Sequence, residues 1–132
     1  MTTRGVRGAT TVEGNDAAGI RERTLELLSI LVEQNRIRPQ DLASVVFTVT
    51  EDLDAEFPAL AVRALRGWEE VPLLCAREIP VPGSLGRCVR ILLHWNTDEP
   101  QESVRHAFLR GARELRPQWA VRVAGDDGPP PG

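Results

Sequence analysis

Lysine and tyrosine are both absent from this chain of 132 residues, so all 16 of its basic side chains are arginine. Without a lysine, the glycine-rich stretch Gly83-Ser84-Leu85-Gly86 cannot complete a phosphate-binding loop. Nucleophile-elbow and paired-carboxylate signatures are missing as well. The 16 positive charges fall short of 19 acidic residues, which leaves a net charge of −3. A chain without an excess of positive charge is unsuited to neutralising a phosphate backbone, so no nucleic-acid partner is expected. The longest apolar stretch, around Ile91 to Leu93, is far shorter than the roughly 20 residues of a membrane span. Residues Met1 to Glu13 carry Arg4 and Arg7 but no apolar signal region, and the expected location is the cytoplasm. Cys75 and Cys88 are then reduced thiols. Together with His94 and His106 they lack any paired short ligand spacing, so neither a metal nor another cofactor is expected.

What is present suits one globular domain. Apolar residues make up 42% and charged residues 27%, and a chain this long buries roughly two-thirds of its unfolded surface. Residues 4–13 read as a strand, with glycine where backbones approach closely. Gly14-Asn15-Asp16 is a turn able to cap a helix over residues 17–34, whose apolar stripe is Ile20, Thr24, Leu27, Leu28 and Leu31. A short helical turn at Arg38 to Asp41 precedes a β-branched strand over 43–50. A second helix is expected over 58–66, with Gly67 at its end. Strands over 71–78 and 87–95 follow, joined by the turn Val81 to Ser84. The order βαβαββ, with a hairpin-like pair near the end, implies an α+β or mixed α/β fold: a mixed β-sheet flanked by helices. Residues 101–116 read either as one helix or as a turn followed by an edge strand at His106 to Leu109. The segment 124–132 is small, acidic and proline-ended, and is expected to be disordered.

Charge placement raises the functional question. Arg7 and Arg90 lie mid-strand, Arg63 on the second helix and Arg116 before Pro117, with Glu78 as the evident counter-charge. These groups are either surface residues and ion-pair partners, or the lining of a cavity for a small, multiply anionic molecule. Arginine forks match carboxylates in a bidentate way, which makes the second reading chemically coherent. Residue type and spacing leave both open. By default Cys75, Cys88, Phe57 and Phe108 are core residues.

Longer motifs add to this. RGVRGATTVE (4–13), FPALAVR (57–63), VPLLCAREIPVPGSLGRCVR (71–90), WNTD (95–98) and ELRP (114–117) resemble the small monofunctional chorismate mutases. The resembling class is the homotrimeric, α/β-barrel-like one and not the all-helical one, and the likeness runs over about residues 3–119. It implies a chorismate mutase-like domain over 1–119, a flexible tail over 120–132, and a trimer forming a pseudo α/β-barrel with active sites between subunits. It also implies a short helical turn at Gln101 to Arg105 and a strand carrying Phe108.

Residue by residue, the resemblance makes Arg90 the donor to the substrate's ether oxygen and Glu78 the partner of its hydroxyl, with Cys75 beside it. Arg7 corresponds to the carboxylate-binding arginine of the first strand. Arg116 and Arg63, the latter from a neighbouring subunit, correspond to further positive groups. Phe57, Ala59, Leu73, Leu74, Phe108 and Leu115 correspond to the pocket wall. Phe108 stands where the family commonly has tyrosine, and Leu60 where a lysine is frequent. Alternation along a strand places Cys75 and Glu78 on opposite faces, unless Glu78 sits at the strand end or Cys75 acts through its main chain. The implied reaction is the intramolecular Claisen rearrangement of chorismate to prephenate. The alternatives are a non-enzymatic trimeric binder or sensor of a small carboxylate, and an enzyme acting on another small enol or imine acid.

Overall fold

The computed structural model describes residues 1–126. Asp16 accepts a hydrogen bond from the Gly19 amide at 2.7 Å and starts helix α1, Ala17–Asn35. Its side chain thereby satisfies one of the amides that a helix N-terminus leaves unpaired. Ile20, Thr24, Leu27, Leu28 and Leu31 are buried as one stripe, which lays α1 across a six-stranded sheet.

The strands are β1 (Thr2–Thr11), β2 (Leu42–Val49), β3 (Leu73–Arg77), β4 (Cys88–Thr97), β5 (Ala107–Leu109) and β6 (Ala120–Val121). Their spatial order is β3-β2-β4-β1-β5-β6. Strand β4 runs antiparallel to both β1 and β2, whereas the β2–β3, β1–β5 and β5–β6 pairs are parallel. The sheet is therefore mixed. The expected hairpin between the strands at 71–78 and 87–95 does not form, because β2 lies between them. Ten residues long, with Val89, Ile91, Leu93 and Trp95 buried at alternate positions, β4 is built for the middle of the sheet. The five residues of β3 are half-buried or exposed and suit an edge, reached from β2 by a crossover.

That crossover contains the segment expected as a helix over 58–66, which is a 3-10 helix at Pro58–Ala64. The ambiguous stretch 101–116 is not one helix. It divides into 3-10 turns at Gln101–Ser103 and Arg110–Leu115 around β5. Strand pairing with β1 outweighs a weak local helix preference here. Beyond a last turn at Pro117–Trp119, Ala120 and Val121 pair with Phe108 and Leu109. The chain stays engaged as far as Asp126, which accepts from the Val123 amide. Residues 127–132, the rest of the expected tail, lie outside the described part.

The main core lies between α1 and one sheet face, where Val6, Val45, Phe47, Ile91 and Leu93 meet Leu27, Leu28 and Leu31. Gly8 makes this approach possible. A Cβ there would lie 2.8 Å from Leu31 Cδ1 and 2.9 Å from Leu27 Cδ1. On the opposite face, Ala9, Cys88 and Phe108 are covered by Ala112, Leu115 and Trp119. Toward β3 that face opens, and Leu74 is 63% exposed.

Candidate active site

Strand register decides which charges meet. Arg90 pairs across β4 with Ala9 of β1 on one side and Thr48 of β2 on the other, so it projects from the face opposite α1. Arg7 is two residues before Ala9 and shares that face. Glu78 follows the last residue of β3, and its amide donates to the Val49 carbonyl at 2.9 Å. The Thr48 hydroxyl donates to Glu78 Oε1 at 2.6 Å and holds the carboxylate beside Arg90. Arg90 Nε lies 3.3 Å from that same oxygen. The distance is that of an ion pair, yet the N–H is buried and makes no hydrogen bond among the described residues. A buried donor left unmatched carries a desolvation cost until something accepts from it.

A cleft of about 330 Å³ opens between these groups, lined by Arg7, Val46, Thr48, Glu78, Arg90 and Leu92. Its electrostatics are crowded. Partial burial lowers the pKa of Arg7, the nearby charges of Arg116 and Arg90 lower it further, and Glu78 opposes them. Three guanidiniums facing one carboxylate leave the site electropositive within a chain that is acidic as a whole. On the β5 side, Phe108 is 1% exposed, with the Arg7 Cζ 5.7 Å from its ring centroid. Leu115 packs into the same small cluster. His106 Nδ1 accepts the Arg7 amide at 2.9 Å, standing in for a backbone carbonyl at the end of the β1–β5 ladder. Burial, and then the charge of Arg7, keep the His106 pKa below its ordinary 6.5, so the ring is neutral at pH 7.

The remaining expected site residues lie elsewhere in the chain. Phe47 is the direct partner of Cys75, so the Cys75 side chain turns to the helix side of the sheet, away from Glu78. Leu73 turns the same way and packs on the main core, as does Ala59. Alternation along β3 forces this, and the strand-end position of Glu78 frees it from the pattern. Phe57 and Cys75 line a second cleft of about 590 Å³, together with Glu51, Asp54 and Arg77. Exposed Arg63 lines a third, with Arg21, Glu56 and Leu60. One chain thus gathers Arg7, Glu78, Arg90, Phe108, Leu115 and Arg116, but not Phe57, Ala59, Arg63, Leu73 or Cys75. Leu74 stands exposed on the open face between the two groups.

Thr48 and Trp119 are not singled out by the sequence, and His106 is considered there only as a metal ligand and as the start of an edge strand. Thr48 is one of several threonines in a β-branched run, and only the β2–β4 register gives it a role. Trp119 follows Arg116-Pro117 closely, and that spacing was the signal available for it. Among the described residues, no group of three or more His, Cys, Asp and Glu side chains is arranged to hold a metal ion. No helix among them is long and apolar enough to cross a membrane.

The family described as chorismate mutase type I matches residues 3–119. Chorismate mutase AroH of Thermus thermophilus is 55% identical over 115 residues, covering 86% of this chain and 93% of the relative. Chorismate mutase AroH of Bacillus subtilis is 43% identical over 121 residues, covering 92% and 95%. A solved chorismate mutase from Clostridium thermocellum superposes with a TM-score of 0.82 at 46% identity, covering 84% of this chain and 98% of its own.

Proposed function

The chain belongs to the type I chorismate mutases, and from that premise we propose that the cleft between Arg7, Glu78 and Arg90 is its active centre, completed by a neighbouring subunit. The activity is the isomerisation of chorismate to prephenate, and the non-catalytic carboxylate binder is set aside. In this reaction one carbon–oxygen bond breaks while a carbon–carbon bond forms within one molecule. No nucleophile and no proton transfer is required. The protein's task is to hold the compact conformer that brings the two carbon termini together. It must also stabilise negative charge on the ether oxygen as that bond lengthens.

The observation that carries the assignment is Arg90. Its buried Nε–H lacks an acceptor among the described residues and is held beside Glu78, which Thr48 fixes in turn. A donor already desolvated and oriented needs little reorganisation when charge develops in front of it. Glu78 accepts from the substrate hydroxyl, and Arg7 and Arg116 receive its carboxylates. Their mutual repulsion, visible in the lowered pKa of Arg7, is relieved by a dianion.

Two features support a homotrimer with shared sites. Phe57, Leu74, Ile79 and Val81 are exposed at 57–79%, an apolar area that subunit contact would bury. Arg63, Phe57 and Cys75, separated from Arg90 within one chain, can then face the Arg90 cleft of the next subunit.

Replacement of Arg90 by alanine tests the assignment. Turnover falls by about a hundredfold to a thousandfold while light scattering still shows the assembled enzyme. Chorismate consumption near the wild-type rate would remove Arg90 from the centre.

A further inference from the structure

Among the described residues, Trp119 is the one aromatic side chain that meets both Arg7 and Arg116, the guanidiniums proposed to receive carboxylate. The Arg7 Cζ lies 5.9 Å from its ring centroid and the Arg116 Cζ 5.4 Å. Among the described residues neither guanidinium has a carboxylate within ion-pair distance. Burial lowers the pKa of Arg7 and the charge of Arg116 lowers it further, so the two guanidiniums repel each other. Something other than an anion must keep them converging while the site is empty. The negative face of an indole can do this, because it attracts both cations at once.

The ring is itself held in place. His106 stacks on it at 4.1 Å between centroids, tilted by 44°, and Phe108 contacts it at 5.8 Å. Its amide donates to the Arg116 carbonyl at 2.9 Å, and the next residue, Ala120, pairs with Phe108. The backbone is therefore anchored on both sides of the indole. His106 in turn accepts the Arg7 amide, so one connected cluster fixes the main chain of Arg7 and the direction of its side chain.

We propose that Trp119 is a positioning residue, whose indole holds the Arg7 and Arg116 guanidiniums together to receive the carboxylate end of the substrate. The inference rests on the active-centre reading above. Carboxylate contacts persist from bound substrate to transition state, so their loss appears as weaker binding and not as slower chemistry.

The test compares Trp119→Leu with Trp119→Phe in steady-state kinetics, with Arg7→Ala alongside. Leucine keeps apolar bulk over Phe108 but offers no π face. Phenylalanine keeps a smaller one. Trp119→Leu raises KM on the order of tenfold with kcat changed less than about twofold, as expected for two cation–π contacts. Trp119→Phe recovers most of that loss. Equal KM values for the two variants, or an unchanged KM in Trp119→Leu, would reduce Trp119 to core packing and overturn the proposal. A fall in kcat at constant KM would overturn it too. Should Trp119→Leu fail to fold, Trp119→Met takes its place in the same comparison with Trp119→Phe, and the same KM outcomes decide. The Arg7→Ala control separates the two levels. An unchanged KM there means that the cleft itself is misassigned.

Discussion

Phe108 lies under Arg7 and beside Trp119 with only 1% of its surface exposed. A phenol at this position would add one donor next to two guanidiniums that already attract carboxylate. Phe108→Tyr is therefore expected to lower KM with little change in kcat, because the new contact serves ground state and transition state alike. Initial-rate kinetics over a range of chorismate concentrations checks this. A raised KM together with a lower melting temperature would mean that the hydroxyl is buried without a partner. Burial in the same apolar cluster pushes the Cys88 thiol above its ordinary value, which disfavours the reactive thiolate. At this scale the sequence revealed the charged groups and little else. Arg7 and Arg90 drew attention because strand arginines are uncommon, and Glu78 because it was their nearest counter-charge. Thr48 and Trp119 act through distances that span register and turns, and those are set by tertiary structure.

Gly8 links the site to the core at the level of elements. It lies next to Arg7 on β1 and lets α1 sit directly against the sheet. Gly8→Ala would drive a methyl group into Leu27 and Leu31, both fully buried. Overpacking of this kind costs about 1–3 kcal/mol, and a lower urea midpoint with unchanged slope would show it. An unchanged midpoint would mean that α1 shifts at no cost. The element pattern itself was largely legible. The helix at Ala17–Asn35 and the strands at Leu42–Val49 and Cys88–Thr97 follow apolar periodicity closely. The hairpin between β3 and β4 was misread because periodicity reports which face is buried and not which strand is the neighbour. Residues 101–116 were ambiguous for a related reason: three residues of β5 owe their state to pairing with β1, a hundred positions away in sequence.

For the whole molecule, the net charge of −3 conceals the arginine cluster, because the acids are distributed away from it. The division of the expected site residues into two separated groups has a direct consequence if the working unit is a trimer. Two defective chains, Arg90→Ala and Arg63→Glu, carry their lesions on opposite sides of the proposed interface. Co-expressed, they should form some interfaces with both arginines intact and regain activity above that of either variant alone. Activity equal to the average of the two separate variants would place both residues in the site of a single chain. Residue type and spacing do not carry this, because chain connectivity gives no distance between residues of different subunits; only the resemblance to the trimeric chorismate mutases implied it.

The partners of β1 have a bearing on how the protein comes into being. Its first strand pairs with β4 and β5, whose residues begin at Cys88 and Ala107. At a synthesis rate of about 5–20 residues per second, β1 spends several seconds after translation without a neighbour on either edge. Strands left open in this way are the places where nascent chains join one another. Arg4 and Arg7 lie on β1, and charge of one sign along an open strand discourages that encounter. The guanidinium proposed to receive a carboxylate is thus also placed to discourage aggregation while the chain is being made.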